Sequence, residues 1–285
     1  MTRLFLVLSL PVILAAQPQG HPGIDDALTF SVPSSPRISP EGTRVVYQLS
    51  RTNWEDNAFE SDLWLCDVAA PGHPRLMTAG PGWNGEPRWA PDGRQIAFVS
   101  DRSGRREIFV ISPSGGEARK LTSAENGVNS FRWAPDGKAI AFTSDDDGDS
   151  HKKRNERYGD FEIVNSEAPS ASLWLVRIPD RPEAAPGAPE LLTKGRKELI
   201  GAFAWSPDGS KIAFESDGIH ILDVAAATTT TIASGSGPYR NPVWSPDGRY
   251  VAFETAGGDP GFYYSNWFIA RAPAQGGPTE PLTKG

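Results

Sequence analysis

Hydrophobic residues along this chain are grouped in short runs, and glycine, proline and small polar residues separate the runs. β-Branched and aromatic residues are frequent in the runs, which is typical of strands. The most regular run is an aliphatic–small–aromatic triplet that occurs five times, at residues 45–47, 96–98, 140–142, 212–214 and 251–253. The 26 prolines and 29 glycines interrupt the chain too often for helices of ordinary length. The pattern therefore predicts an all-β protein.

A short polar segment of constant composition precedes each triplet. It consists of Ser or Ala, then Pro, an acidic residue and Gly, and its prolines are Pro40, Pro91, Pro135, Pro207 and Pro246. Pro presets φ for the second position of a tight turn, and Gly is readily accepted at the exit position. In four of the five copies a Trp stands two residues before the proline, at positions 89, 133, 205 and 244. We therefore predict a hairpin in each copy, with its turn at this segment, which is Pro-Glu-Gly in the first copy and Pro-Asp-Gly in the other four. All five are called Pro-Asp-Gly segments below.

Two further apolar runs follow each predicted hairpin. The third run is clear, as at residues 63–65 and 108–110, whereas the fourth is mostly a Leu-Thr pair, as at residues 121–122. Four consecutive strands in a meander form one blade of a β-propeller. The five prolines lie 51, 44, 72 and 39 residues apart, around the roughly 40–50 residues of a usual blade. The alternative, an all-β sandwich, would require five in-phase copies by chance.

We predict a β-propeller of four-stranded antiparallel blades, with five blades present in a ring that need not be complete. The blades are expected at residues 31–80, 81–125, 126–196, 197–235 and 236–285. Because the chain ends on a blade boundary, we expect two or three blades of the ring to be missing. The long third repeat indicates an insertion at residues 143–172. This insertion is expected at one mouth of the propeller, where partners or substrates pass, and a simple surface excursion is an equal alternative.

The N-terminus has the features of a secretory signal peptide. Arg3 precedes an apolar run at residues 4–16, and the composition becomes polar at Gln17. We predict a signal peptide at residues 1–16 and a leader or edge strand at residues 17–30, with a buried N-terminal strand as the alternative. The apolar run is shorter than the roughly 20 residues that a membrane-spanning helix needs, so no membrane span is expected. These features predict a bacterial periplasmic or secreted protein.

Charge and cysteine content narrow the class of protein. The net charge of −7 and the pI near 5.2 argue against a nucleic-acid-binding protein. The basic run at residues 152–154 follows several aspartates closely, which favours a solvated loop with compensating charges. Cys66 is the only cysteine, so no intrachain disulfide is possible, and its apolar run predicts a buried structural thiol.

Candidate catalytic residues are few. The Gly-x-Ser-x-Gly motif that carries the nucleophile of α/β-hydrolases does not occur, and the Gly-Ser-Gly sequence at residues 235–237 comes nearest to it. The histidines are scattered without the spacing of metal ligands: His21, His73, His151 and His220. We predict that His220 is an ordinary residue of a strand.

One acidic cluster resembles a calcium-binding loop. Asp145, Asp147, Asp149 and Glu156 have the spacing of calcium ligands, but Ser150 stands where the sharp turn requires Gly. A charged surface loop is therefore the preferred interpretation. We predict no catalytic, cofactor-binding or metal-binding residue in this chain, and no cofactor.

Several phrases resemble the propeller of the prolyl oligopeptidase family of serine peptidases, in its dipeptidyl-peptidase and acylaminoacyl-peptidase branch. Residues 50–57 (Ser-Arg-Thr-Asn-Trp-Glu-Asp-Asn) and 61–65 (Ser-Asp-Leu-Trp-Leu) resemble its first blade. Residues 115–122 (Gly-Gly-Glu-Ala-Arg-Lys-Leu-Thr) and 171–176 (Ala-Ser-Leu-Trp-Leu-Val) strengthen the likeness. The Pro-Asp-Gly repeat is less specific, because the periplasmic TolB propeller shares it.

The resemblance implies a non-catalytic propeller that gates and orients peptide substrates for a C-terminal α/β-hydrolase domain with a Ser-Asp-His triad. No triad residue can be placed in this chain. Exopeptidases of the family hold the free amine of the substrate with acidic residues from the propeller side. Glu162 and Glu167 are conceivable amine ligands, but no motif match assigns them.

Three functions are therefore weighed. The first is the propeller portion of a secreted or periplasmic serine peptidase, with a peptide substrate and a C-terminal hydrolase domain as its partners. The second is a stand-alone TolB-like propeller that binds protein partners. The third is a propeller enzyme such as a lyase or lactonase, which the scarcity of histidine disfavours.

Overall fold

The computed structural model of the protein describes residues 23, 28–80, 82–146, 170–179, 181, 184–193, 199–235, 237–257 and 266–283. In these ranges the chain forms twenty strands in five sheets of four. The first two sheets are β1 (Val32–Ile38), β2 (Arg44–Asn53), β3 (Ala58–Asp67), β4 (Ala70–Leu76), and β5 (Asn84–Trp89), β6 (Ile96–Ser100), β7 (Glu107–Ile111), β8 (Arg119–Lys120).

The remaining three sheets follow in chain order. They are β9 (Ser130–Trp133), β10 (Ala139–Asp145), β11 (Ala171–Arg177), β12 (Glu190–Leu191); β13 (Phe203–Trp205), β14 (Lys211–Glu215), β15 (Gly218–Asp223), β16 (Thr228–Ser234); and β17 (Tyr239–Trp244), β18 (Tyr250–Thr255), β19 (Phe268–Pro273), β20 (Glu280–Pro281). In every sheet neighbouring strands are consecutive in sequence and antiparallel. The prediction of an all-β fold with five four-stranded antiparallel blades is confirmed.

Each Pro-Asp-Gly segment forms the tight turn between the first and second strands of a blade. In the second blade the Gly93 amide donates to the Ala90 carbonyl at 2.9 Å, and the same bond recurs in the other four blades at 2.8–2.9 Å. Gly93 has a φ of +69°, a conformation that costs a residue with a side chain conformational strain. The Asp92 carboxylate accepts the Arg94 amide at 2.9 Å and closes the turn.

The apolar cores lie between the blades. Each of the four cores combines residues of two consecutive blades: Val46 with Phe98, Val99 with Phe142, Leu173 with Phe214, and Ile221 with Phe253. A central strand such as β6 is therefore buried on both of its faces. This explains why the central strands read as continuous apolar runs, because strict alternation is expected only of a sheet with one solvated face.

The Leu-Thr pairs connect the third and fourth strands through their hydroxyl groups. The Thr122 hydroxyl accepts the Ile108 amide at 2.9 Å and donates to the buried Glu107 carboxylate at 2.6 Å. Thr78 makes the same two contacts, with the Leu63 amide and with Asp62. These hydroxyls satisfy backbone and carboxylate groups that would otherwise be buried without partners.

Candidate functional site

Neighbouring blades are joined by one repeated hydrogen bond. The indole Nε1 of the Trp at the end of each first strand donates to a backbone carbonyl in the first strand of the preceding blade. The pairs are Trp89 to Arg37 at 3.0 Å, Trp133 to Arg88 at 3.2 Å, Trp205 to Arg132 at 3.3 Å, and Trp244 to Ala204 at 3.0 Å. The acceptor always stands three residues before the proline of its own turn. Trp is thus the residue that positions one blade on the next.

The turns of consecutive blades also lie against each other. A Cβ atom added to Gly137 would stand 3.6 Å from Cδ of Pro91 in the preceding turn, and the corresponding distance from Gly209 to Pro135 is 3.4 Å. The Pro-Asp-Gly segments therefore form a continuous row along one face of the protein. Proline presents a flat apolar surface to the neighbouring turn at each step.

The outer face of the first blade has no Trp to donate the indole hydrogen bond that joins the other blades. Ile38 occupies the position held by Trp in the other blades, and it is 67% exposed. We call the exposed surface around Ile38 the first end face.

The outer face of the fifth blade corresponds to the face by which each of the first four blades accepts the Trp of the next blade. Val243 stands at the acceptor position, and it is 60% exposed. Among the described residues no indole donates to its carbonyl oxygen. Trp267, Ile269 and Leu282 of the same blade are exposed as well. We call Val243, Trp267, Ile269 and Leu282 the second end face. Apolar faces of this kind mark interaction surfaces in soluble proteins.

The acceptor position carries an arginine in the first three blades. Arg37, Arg88 and Arg132 pair in register with Val46, Ala97 and Ala141, which are the central residues of their triplets. Burial and the charges of Arg132 and Arg37 lower the pKa of Arg88 to about 10. Burial and the charge of Arg37 lower the pKa of Arg132 as well. The three guanidinium groups are therefore close enough to repel one another.

The first strands of the first, second and fifth blades are bent. Ser35, Glu86 and Asn241 stand five residues before their turn prolines and have φ between +50° and +54°. The register between first and second strands shifts at the same places. Such bulges re-aim the following side chains, which here include Arg37 and Arg88.

The residues that the sequence analysis weighed as candidates make ordinary structural contacts or lie outside the described ranges. His220 is buried in β15, between Asp217 at 2.7 Å, Thr231 at 3.0 Å and the ring of Phe214. Its prediction as a strand residue is confirmed. Cys66 was predicted to be buried, but it is only half-buried. It stands near the end of β3, beside Pro71 of the exposed strand β4, so no neighbouring blade covers it.

The calcium-like cluster is described only at Asp145, where the carboxylate accepts the Asn129 side-chain amide at 2.6 Å. Asp147, Asp149 and Glu156 lie outside the described residues, together with His21, His151, Glu162 and Glu167, residues 1–16 and the basic run. Over the ranges that the structure describes, no group of three His, Cys, Asp or Glu side chains could hold a metal ion.

A cleft of about 280 Å³ lies at the base of the predicted insertion. Asp145, Asp146 and Trp174 line it, and the Trp174 indole nitrogen has no hydrogen-bond partner among the described residues. Residues 147–169 of the insertion lie outside the described ranges. In the described part of the chain, no helix has the length and apolar character that crossing a bilayer requires.

Comparison with known proteins identifies relatives of this repeat. The profile of the family described as "PD40: TolB beta propeller domain" matches residues 29–172. The chain is 38% identical over 106 residues to the uncharacterized peptidase YuxL of Bacillus subtilis, an alignment that covers 37% of this chain and 16% of YuxL. It is 27% identical over 131 residues to dipeptidyl-peptidase 5 of Porphyromonas endodontalis, covering 42% of this chain and 19% of the peptidase.

Solved structures show the same fold. The structure of a TolB protein from Agrobacterium tumefaciens superposes with a TM-score of 0.57 at 20% identity, and the match covers 89% of this chain and 81% of that one. The alignments with the two curated peptidases cover less than a fifth of the length of either peptidase. Sequence reasoning missed the arginine row, although aligning the five repeats on their prolines would have revealed it.

Proposed function

The chain belongs to the TolB β-propeller domain family, and we propose that it is the non-catalytic propeller portion of a secreted or periplasmic serine peptidase. Its role is to gate and orient peptide substrates for a hydrolase domain. The observation that carries the proposal is the pair of peptidase relatives, since this chain aligns with under a fifth of each of them. The remaining length of a peptidase is then available for the catalytic domain.

The two end faces support this proposal. Inside the protein every acceptor carbonyl from the first to the fourth blade receives an indole from the next blade. Val243 offers the same carbonyl on an exposed apolar face, and Ile38 stands where a Trp would bind a preceding blade. Further blades of the same repeat would cover both faces by the contacts already used four times.

The polar groups of the described core support a structural role for the chain. Asp62, Glu107 and His220 are buried, and each is engaged by side chains of its own blade. We infer that the propeller contributes access and orientation, and that bond cleavage belongs to another domain of the same protein.

The experiment compares two polypeptides on aminoacyl and dipeptidyl chromogenic substrates. The present chain is expected to give no turnover, whereas the product of the complete reading frame, in which a Gly-x-Ser-x-Gly motif is expected after Gly285, should hydrolyse them. Clear turnover by the present chain, or a complete reading frame without a hydrolase domain, would refute the proposal. Fractionation of the native host tests export, which we expect to be periplasmic or extracellular.

A second candidate function is a TolB-like propeller that binds protein partners. The match to the Agrobacterium tumefaciens TolB favours it, because it spans most of both chains. A complete reading frame that encodes a propeller alone, with capture of a defined periplasmic protein by the end faces, would favour this candidate over the peptidase.

A further inference from the structure

We propose that Arg37, Arg88 and Arg132 form a binding site for the carboxylates of acidic peptides on the first strands of the first three blades. The inference rests on the proposed function in one respect, namely that the ligand is a peptide. The proposed function requires only that peptides pass the propeller. The arginine site additionally predicts that acidic peptides bind to it.

The fold places the three arginines in one row. Each stands three residues before its turn proline, and the Trp hydrogen bonds tie the Arg37 and Arg88 backbones to the blades that follow them. The Trp hydrogen bonds hold the first strand of each of these blades beside the first strand of the next, and the blades of a propeller surround a central channel. In the proposed site, the row of one guanidinium per blade is the part of this surface that an acidic peptide binds.

Aromatic rings of the following blades fix two of the side chains. The Arg88 guanidinium carbon lies 5.7 Å from the centre of the Phe131 ring, and that of Arg132 lies 5.8 Å from the centre of the Phe203 ring. Both contacts are within the range of a cation–π interaction. Because the rings hold the arginines in place, little side-chain freedom remains to be lost when a ligand binds.

The charges of the row are not balanced by the described acidic residues. Glu86 is the acidic residue that acts on Arg88 and Arg132, but its carboxylate is bound to Arg106 at 2.8 Å. Arg88 Nε is buried and has no hydrogen-bond partner in the described part of the protein. Arg37 and Arg132 each donate one bond, to the carbonyl oxygens of Pro36 and Phe131. An anion bound to the row would supply the missing negative charge.

The chemistry of the row favours carboxylates. A guanidinium binds a planar carboxylate through two parallel N–H···O bonds, which a single ammonium cannot do. The fourth and fifth blades carry Ala204 and Val243 at the same position, so the arginine row ends at the third blade. A bound peptide would therefore turn its acidic side towards the first three blades. The net charge of −7 on the whole chain disfavours nucleic acid as the ligand.

The test measures peptide binding to the complete present chain by titration calorimetry at low ionic strength. The probes are an acetylated and amidated tetraglutamate, the matching tetraglutamine, and tetraglutamine with a free C-terminal carboxylate. We expect tetraglutamate to bind roughly tenfold or more tightly than amidated tetraglutamine, because at least one charge-assisted bond is gained. Tighter binding of the free-acid tetraglutamine than of its amide would place the C-terminal carboxylate in the site instead of side chains.

The double substitution Arg88→Gln with Arg132→Gln should abolish the preference for tetraglutamate. The matched control is Arg94→Gln, since Arg94 lies exposed on the second-blade turn beside Asp92, and it should keep the preference. If the double variant does not fold, Arg88→Lys with Arg132→Lys keeps the charge and should weaken tetraglutamate binding several-fold by losing the bidentate geometry.

Two results would overturn the site: equal affinity for tetraglutamate and amidated tetraglutamine, or a preference that survives in the double variant. Neither result bears on the peptidase assignment, which depends on turnover by the complete reading frame. Conversely, a reading frame without a hydrolase domain would refute the peptidase function and leave the measured affinity ratio unchanged. The two proposals therefore fail independently.

Discussion

The interface between the second and third blades and the outer face of the fifth blade are built from the same repeat, yet they differ in what covers them. Trp133 closes the interface by donating to the Arg88 carbonyl, whereas Val243 presents the equivalent carbonyl on an exposed surface. Leu121 is 1% exposed and Leu282, at the same repeat position, is 50% exposed. One blade thus encodes half of each interface, and the stability of that half depends on its neighbour.

The largest expected effect is a difference between two Leu→Ala substitutions. Leu121→Ala leaves a cavity between two blades and should lower the free energy of unfolding by about 2–5 kcal/mol. Leu282→Ala removes an exposed side chain and should change it by about 0.5 kcal/mol or less. Urea unfolding of both variants measures the difference. Equal costs would show that the second end face is covered in solution, for example by a second copy of the chain.

The threonines that follow these two leucines, Thr122 and Thr283, should also differ: substitution of the buried one should cost more unfolding free energy than substitution of the exposed one. Thr122→Val removes the acceptor of the Ile108 amide and the donor to Glu107, both in buried surroundings, and should cost about 1–3 kcal/mol. Thr283→Val breaks the corresponding bond to the Ile269 amide, but water can replace it at this exposed position. A cost below about 1 kcal/mol is therefore expected there by urea unfolding. A larger loss for Thr283→Val than for Thr122→Val would contradict the comparison.

The indole hydrogen bond should have a smaller effect. Trp133→Phe leaves the Arg88 carbonyl without its donor and should lower the free energy of unfolding by about 1 kcal/mol. Trp267→Phe, on the second end face, is the matched control and should be neutral within about 0.5 kcal/mol. Thermal unfolding monitored by circular dichroism resolves the two. If both variants melt alike, the repeated indole contact does not stabilise the blade pair.

The smallest effect concerns pH. Burial raises the pKa of Asp62 above its ordinary value of 3.8, so the folded state binds a proton more tightly than the unfolded state does. The stability linked to this group is complete below about pH 3.8 and is lost as the pH rises through the folded-state pKa. Asp62→Asn should therefore gain stability relative to the parent chain as pH increases from about 4 to about 7.

The control for this pH dependence is an exposed carboxylate of the first turn. Hydrogen bonds from Arg44 lower the pKa of Glu41 to about 2, the opposite direction. Glu41→Gln should therefore remove a stabilisation that is present at neutral pH and is lost as the pH falls towards 2. Parallel pH profiles for the two variants, measured by urea unfolding, would contradict the assigned directions.

Much of the fold was predictable from the residues because its signals are local. The Pro-Asp-Gly segments predict turns through the φ of proline and the freedom of glycine, and all five are found. The triplets predict strands, and the four Trp residues stand at the ends of the first strands. Cys66 was predicted wrongly, because an apolar run shows that a strand is half-buried but not which of its residues a neighbour covers.

The site was less predictable because its contacts join residues far apart in the chain. Trp205 reaches Arg132 across 73 positions, and no local pattern identifies that carbonyl as the acceptor. The sequence does contain the arginine row, since each arginine stands three residues before its turn proline. However, only the packing of the first strands shows that three charges converge and that Glu86 is already bound to Arg106.

The sequence by itself determined the number of blades, the order of their strands and the position of the five Pro-Asp-Gly turns, because short-range conformational preferences of Pro, Gly and β-branched residues decide these features. Only the tertiary structure decided which faces are covered and which charges meet. Those properties depend on the stacking of one blade on the next, so the same repeat becomes a buried core at Leu121 and an exposed surface at Leu282.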